Sequence, residues 1–219
     1  MGHLLFGAPN AGDHARERIP EINAALASAP AGFILTAGDS HAHAIGQSSL
    51  CGRTTVSGGS DGAGGRVYAT AMRGLVFRER PAAIVLTIGA NDLLLKNKPS
   101  RPDNLARLAS YDREIIRALA ETTDRLVVTA IPPVAAQVAA KFDLKGLADL
   151  SGELERICRE TPSCVFADPF APLRAEDFGI ARPGALIDDL HLGDYPEAYR
   201  RLEPQLCPPL QSSISGQSE

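Results

Sequence analysis

Phe33-Ile34-Leu35-Thr36-Ala37 runs straight into Gly38-Asp39-Ser40, and this junction decides how the chain is read. The five-residue run is apolar throughout except for Thr36. Strands covered on both faces of a parallel sheet look like this, whereas half-exposed strands alternate. The glycine then lets the backbone turn, and a serine follows where a helix would start. Comparable runs recur at Ala83–Ile88, Leu126–Ile131 and Cys164–Ala167, with Thr54-Thr55-Val56 as a shorter candidate.

Helical patterns separate these runs. Leu105, Leu108, Ile115, Ile116 and Leu119 mark one apolar face. Leu144, Leu147, Leu150, Leu154 and Ile157 mark another, at spacings of three and four. A helix is predicted over Pro20–Ser28 with the proline at its start, and a closing helix over Tyr195–Leu202. Alternating strands and helices predict an α/β protein, a three-layer α/β/α sandwich around a central parallel sheet. A length of 219 residues suits a single domain over 1–210, and the polar tail 211–219 is expected to be disordered.

The chain is 44% hydrophobic and 22% charged with a net charge of −4, and no basic cluster suggests nucleic acid as a partner. No apolar stretch is long enough to span a membrane. Met1-Gly2-His3-Leu4-Leu5-Phe6 lacks the basic and long apolar regions of a signal peptide, which leaves a cytoplasmic protein or a trimmed exported form. No CxxC pair occurs among Cys51, Cys158, Cys164 and Cys207, so a zinc knuckle is not expected. Cys158 and Cys164 flank a helix end, a turn and a strand start. They either close a small disulfide loop or are unrelated thiols.

Three short motifs carry candidate chemistry. Gly38-Asp39-Ser40 and Gly89-Ala90-Asn91-Asp92 each follow a strand, and Asp188-Asp189-Leu190-His191 lies near the C-terminus. Ligands of open α/β sheets bind at the carboxyl ends of strands, where Ser40 and Asn91 would sit. Ser40 is either a helix cap or a nucleophile, and a nucleophile needs a base. Of the five histidines only His191 has a carboxylate three residues before it, so Asp188 can orient the imidazole. Asp189 is out of that register and reads as solvated. Asn91 is either an oxyanion donor or a turn-capping residue, and Asp92 would be structural. His41 and His43 read as an exposed pair at the rim, without the companions that a zinc site needs. The glycine-rich stretch Ser57–Gly65 reads as a loop, but no Lys-Ser/Thr follows it and it is not a phosphate loop of the Walker type.

These blocks resemble those of the SGNH hydrolases, the GDSL-type esterase and lipase family. They are Gly-Asp-Ser at 38–40, a glycine within 58–62, Gly-x-Asn-Asp at 89–92 and Asp-x-x-His at 188–191. The resemblance implies a flavodoxin-like fold, with Ser40, Asp188 and His191 as a catalytic triad and no cofactor or metal. It implies an oxyanion hole from the Ser40 N–H, a glycine N–H and the Asn91 side chain. Gly62 is the preferred glycine, because Gly59-Ser60-Asp61-Gly62 resembles the family's Gly-x-x-Gly turn; Gly59 is second. The expected activity is a serine esterase working through an acyl-enzyme on small O-acyl esters, including carbohydrate O-acetyl groups. The alternatives are a lysophospholipase or thioesterase, an acyltransferase using the same serine, and a non-catalytic carbohydrate-binding relic of the fold. Tyr111 and Tyr195 are the candidates for stacking on a sugar, or are structural.

Overall fold

The computed structural model describes residues 11–46 and 48–211. The predicted α/β sandwich is observed. Its sheet comprises β1 (Ile34–Gly38), β2 (Ser49–Leu50), β3 (Arg53–Gly59), β4 (Ala83–Thr87), β5 (Leu126–Thr129) and β6 (Cys164–Ala167). The spatial order is β2-β3-β1-β4-β5-β6. β2 forms an antiparallel hairpin with β3, and every other pair is parallel. Counted along the chain, the five parallel strands therefore lie in the order 2-1-3-4-5. The direction of winding reverses between β1 and β4, where a ligand crevice opens in such sheets.

Alternate residues of each strand point to opposite layers. Leu35, Ile84, Leu86, Leu126 and Val128 face a core shared with α1 (Ala11–Ser28), α3 (Gly65–Ala71), α4 (Pro102–Ala120) and α5 (Leu144–Arg159). Ile34, Ala83, Val85 and Val127 face a smaller core. That core is closed by Ile45, beside α2 (Ser40–Ala44), and by α6 (Tyr195–Arg200) and α7 (Glu203–Gln211). Both predicted apolar helix faces are the buried faces of α4 and α5. Among the described residues no helix is long and apolar enough to cross a membrane.

Several expectations need correction. The first helix begins at Ala11, so Pro20 lies inside it rather than at its start. A mid-helix proline costs about 3 kcal/mol. Here it is offset by the burial of Ala15, Ile22 and Leu26 on either side, while Pro20 itself faces solvent. The glycine-rich stretch is not all loop, because Ser57, Gly58 and Gly59 are the last residues of β3. A Cβ on Gly59 would stand 2.2 Å from the His43 backbone nitrogen, so the glycine is what lets α2 pack directly on the strand. The closing helix ends at Arg200, and a further helix, α7, follows it. Gln211 ends α7; the rest of the expected disordered tail lies outside the described residues.

All four cysteines are paired. Cys158–Cys164 staples the end of α5 to the start of β6, which decides between the two readings of that pair. Cys51–Cys207 ties the β2–β3 turn to α7 across a sequence separation of 156, and Glu203 Oε1 accepts a hydrogen bond from the Cys51 N–H at 3.0 Å.

The tightest backbone constraint is at Gly38, whose φ is +126°. A Cβ there would lie 1.8 Å from the Thr87 carbonyl oxygen of β4. Gly38→Ala is therefore expected to lower Tm by roughly 10 °C, from about 3 kcal/mol of strain at 2–4 °C per kcal/mol for a chain of this size. Thermal unfolding checks this, and a variant melting within about 2 °C of the parent would refute the constraint.

Candidate active site

β1 delivers Ser40. Where the strand ends, the Asp39 N–H continues toward β4 by donating to the Thr87 carbonyl at 3.0 Å. The Asp39 side chain then caps α2, accepting from the His41 N–H at 3.0 Å. The cap is thus Asp39 rather than Ser40. Ser40 becomes the first helical residue, only 8% exposed, with its hydroxyl free for another partner.

That partner comes from the far end of the chain. Ser40 Oγ lies 3.0 Å from His191 Nε2, and His191 Nδ1 lies 2.9 Å from Asp188 Oδ2. The other Asp188 oxygen accepts from the backbone N–H groups of Leu190 (2.7 Å) and His191 (2.6 Å). Partial burial works to raise the Asp188 pKa, but these N–H groups and the His191 ring outweigh it and hold the carboxyl below its ordinary value. A carboxylate on Nδ1 fixes the proton there and leaves Nε2 as the acceptor facing Ser40. Asp189 is in neither bond. Its carbonyl accepts from the Ala135 N–H at 3.0 Å.

Asn91 follows β4 on a short 3-10 turn, Ala90–Leu93, entered through Gly89 at φ +118°. Its Nδ2 donates to the Ala63 carbonyl at 3.2 Å, which orients the carboxamide. Gly62 lies on the turn after β3 with φ +71°. Among the described residues no acceptor is bonded to the Gly62 N–H. Ser40, Gly62, Asn91, Asp188 and His191 all line one open cleft of about 590 Å³. Gly59 is packed beneath α2 and does not line it. Asp92 links the two loops, its Oδ2 accepting from the Gly65 N–H at 2.7 Å.

The sequence did not reveal what lies behind these residues. His41 is fully buried, contrary to the expected exposed rim pair. Its Nδ1 meets the Tyr195 hydroxyl at 2.8 Å, and its ring centroid is 5.6 Å from that of His191. Burial, and then the neighbouring His191, push its pKa down to about 3, so His41 stays neutral behind His191. His43 does reach the rim, where Nδ1 lies 2.7 Å from Asp61 Oδ1. Neither the 18-residue His43–Asp61 separation nor the His41–Tyr195 pairing leaves a local sequence signal. His3 lies outside the described residues.

Asp39, Asp92 and Asp112 form a buried carboxylate group under the site. Burial, only partly offset by the His41 N–H, raises the Asp39 pKa to about 8. Burial, partly offset by the Gly65 N–H, raises that of Asp92 to about 6. Burial and then the neighbouring Asp92 raise Asp112 well above its ordinary value, and neither of its carboxylate oxygens has a protein partner among the described residues. The described cluster with metal-ligand character is Cys51, Glu203 and Cys207, whose two sulfurs are joined to each other and are not available as thiolates.

No family model matches this chain, and no curated protein matches it by sequence. Solved structures do match its fold. A Streptococcus pneumoniae protein described as a platelet activating factor superposes with TM-score 0.73 at 17% identity, over 89% of this chain and 93% of that one. A GDSL-like lipase from Bacteroides thetaiotaomicron gives TM-score 0.58 at 17% identity, over 93% and 99%. A catalytic mutant of the acetylxylan esterase Axe2 from Geobacillus stearothermophilus gives TM-score 0.59 at 14% identity, over 79% and 92%. The chain shares the fold of these structures.

Asp112 carries a pH dependence with a definite sign. Its folded pKa is raised, so the fold binds a proton that the unfolded chain has lost above about pH 4. Stability from this group is full below that pH and is lost as pH rises toward the folded value. Asp112→Asn, which mimics the protonated state, is expected to shift in Tm relative to the parent in its own favour between pH 4 and pH 8. Melting curves at the two pH values check it, and a difference that is constant or moves the other way would refute it.

Proposed function

We propose that this protein is a carboxylic ester hydrolase with Ser40 as its nucleophile. The observation that supports this best is the hydrogen-bonded sequence Ser40–His191–Asp188, open to a cleft that Gly62 and Asn91 also line. In this reading Ser40 Oγ attacks the ester carbonyl carbon while its proton passes to His191 Nε2. Negative charge gathers on the carbonyl oxygen, which the N–H groups of Ser40 and Gly62 and the Asn91 carboxamide receive. Asn91 suits this role because an amide has two N–H donors; one is taken by Ala63 and orients the other. Asp188 supports the imidazolium that forms. His191 then protonates the leaving alkoxide, and an acyl-enzyme remains on Ser40. A water deprotonated by His191 attacks it and releases the acid. No step needs a metal or an organic cofactor.

The substrate is put at the level of small acyl esters. A sugar-stacking role is not supported for Tyr195, which is 5% exposed and bonded to His41. The two disulfides suit an oxidising compartment.

Ser40→Ala is expected to abolish p-nitrophenyl acetate hydrolysis with the circular dichroism spectrum unchanged, since loss of a triad member removes several orders of magnitude of turnover. Retained turnover by pure variant protein would refute the reading. Asn91→Ala is expected to lower kcat by about 10²–10³ with little change in KM. A rise in KM alone would make Asn91 a binding residue. Asp188→Asn should be nearly as damaging as His191→Ala while Asp189→Asn does little, because only Asp188 holds the His191 ring. Stopped-assay rates of the three variants check this, and full activity in Asp188→Asn would contradict it.

A further inference from the structure

A second cavity, of about 410 Å³, adjoins the cleft. Gly62 and Asn91 line both, whereas Ser40 and His191 line only the first. The two cavities differ in charge. The first carries Asp61, Asp188 and Asp194 on its walls, with His43 and His191 as its basic groups. The second carries Arg66 from α3, Arg107 from α4 and Lys96. Its acidic residue is Asp92, whose Oδ2 is turned to the Gly65 N–H and whose pKa burial raises to about 6. Asp92 attracts Arg66 while bonded to the Gly65 N–H, so the charged lining is this one carboxylate with Arg66, Arg107 and Lys96. Among the described residues neither Arg66 nor Arg107 makes an ion pair within 4 Å. Arg107 uses one N–H on Asn104 Oδ1 at 2.9 Å, and Asn104 in turn donates to the Lys98 carbonyl at 2.8 Å, so the wall is held in place with donors to spare.

Reaction geometry decides which part of an ester reaches this cavity. The carbonyl oxygen lies toward Gly62 and Asn91, and the leaving oxygen must lie toward His191 to be protonated. The alcohol is thereby held in the cleft that His191 lines, and the acyl chain, on the third direction of the trigonal carbon, is the part left to reach the neighbouring cavity. A negative group on the alcohol would meet the acidic cleft, whereas one at the end of the acyl chain would meet Arg66 and Arg107.

We propose that the second cavity is an acyl subsite for chains ending in a carboxylate, so that hemiesters of short dicarboxylic acids are preferred substrates. This rests on the reading of the protein as an ester hydrolase. The cations stand at an open, exposed wall. Their attraction is therefore screened, and the preference weakens as salt is added.

The test compares kcat/KM for mono-p-nitrophenyl succinate, glutarate and adipate with that for p-nitrophenyl butyrate, each corrected for its own rate in buffer. The expected result is an anionic-to-neutral ratio above one that falls with ionic strength. It should drop about tenfold in Arg66→Gln/Arg107→Gln, the scale of losing a charge-assisted hydrogen bond. Arg80→Gln, an exposed arginine paired with Asp124, serves as the control and should leave the ratio unchanged. A ratio at or below one, or a ratio that the double variant does not move, would overturn the subsite. Binding of monomethyl glutarate to Ser40→Ala protein, followed by NMR, needs no turnover. Salt-sensitive binding that is weakened in the Arg66→Gln/Arg107→Gln background supports the subsite even if no ester is cleaved, which would then count against the hydrolase reading alone. Absent binding, or binding equal in both backgrounds, overturns the subsite whatever the esterase result.

Discussion

The contact that the architecture depends on is the approach of β1 to β4 at Gly38. The two strands pair in register from Ile34↔Ala83 to Gly38↔Thr87, and the pairing continues through the Asp39 N–H. Only a residue without a Cβ allows that last step, because the Thr87 carbonyl occupies the space. Two consequences follow. The loops after β1 and β4 leave the sheet side by side at the point where its winding reverses, so Ser40 and Asn91 share one crevice. The chain also turns at once into α2, because Asp39 caps it, and Ser40 is held on a helix start rather than on a loose loop.

Burying the carboxylates that make these turns has an electrostatic cost. Asp39 caps α2, Asp92 joins the loops after β3 and β4, and Asp112 packs against Gly65 beneath them. Each has its pKa raised by burial, and Asp39 and Asp112 are pushed further by their neighbours. Charged groups in such surroundings strongly favour their neutral forms. His41 follows the same rule from the other side and stays neutral. Two carboxylates at the cleft instead have lowered pKa values despite their partial burial: Asp61, bonded to His43, and Asp188, bonded to the His191 ring and to the N–H groups of Leu190 and His191. Of these two, Asp188 is the one whose oxygen stands at His191 Nδ1, 2.9 Å away.

What could be read from the sequence follows physical range. Continuous apolar runs announced β1, β4 and β5, and also β6, which proves to be a half-buried edge strand; the three-four spacing announced α4 and α5, because burial on a known face leaves a periodic trace. The motif residues at 40, 91, 188 and 191 stand out in the sequence because each sits at a strand end or within a three-residue spacing, and all four line one cleft. The Pro20 boundary was wrong because packing of Ile22 and Leu26 overrides a local penalty. α7 was missed because Pro204 sits in its first turn and Pro208 and Pro209 interrupt its pattern. His41 was placed at the surface because nothing within a few residues of it indicates Tyr195, 154 positions away. The Cys51–Cys207 pairing was invisible for the same reason, while Cys158 and Cys164 were near enough to be considered together.

The stretch from β6 to α6 is where sequence periodicity gives least, and it holds Asp188 and His191. Arg174 supplies the order that secondary structure does not. It is 7% exposed, and its guanidinium spans Asp168 through Nε (2.9 Å) and Nη2 (3.1 Å), the Ile131 carbonyl (2.9 Å) and the Phe178 carbonyl (2.6 Å). A planar fork with five donors is the side chain suited to such a node; a lysine offers one point charge. Ala181 then pairs with Val134, and Leu190 and Leu192 bury on either side of His191. The imidazole is thus positioned by a buried ionic node at one end of the segment and apolar anchors at the other. Its bond to Asp188 is left to orient the ring rather than to hold the loop, which is consistent with a half-exposed ion pair too weak to order a loop by itself.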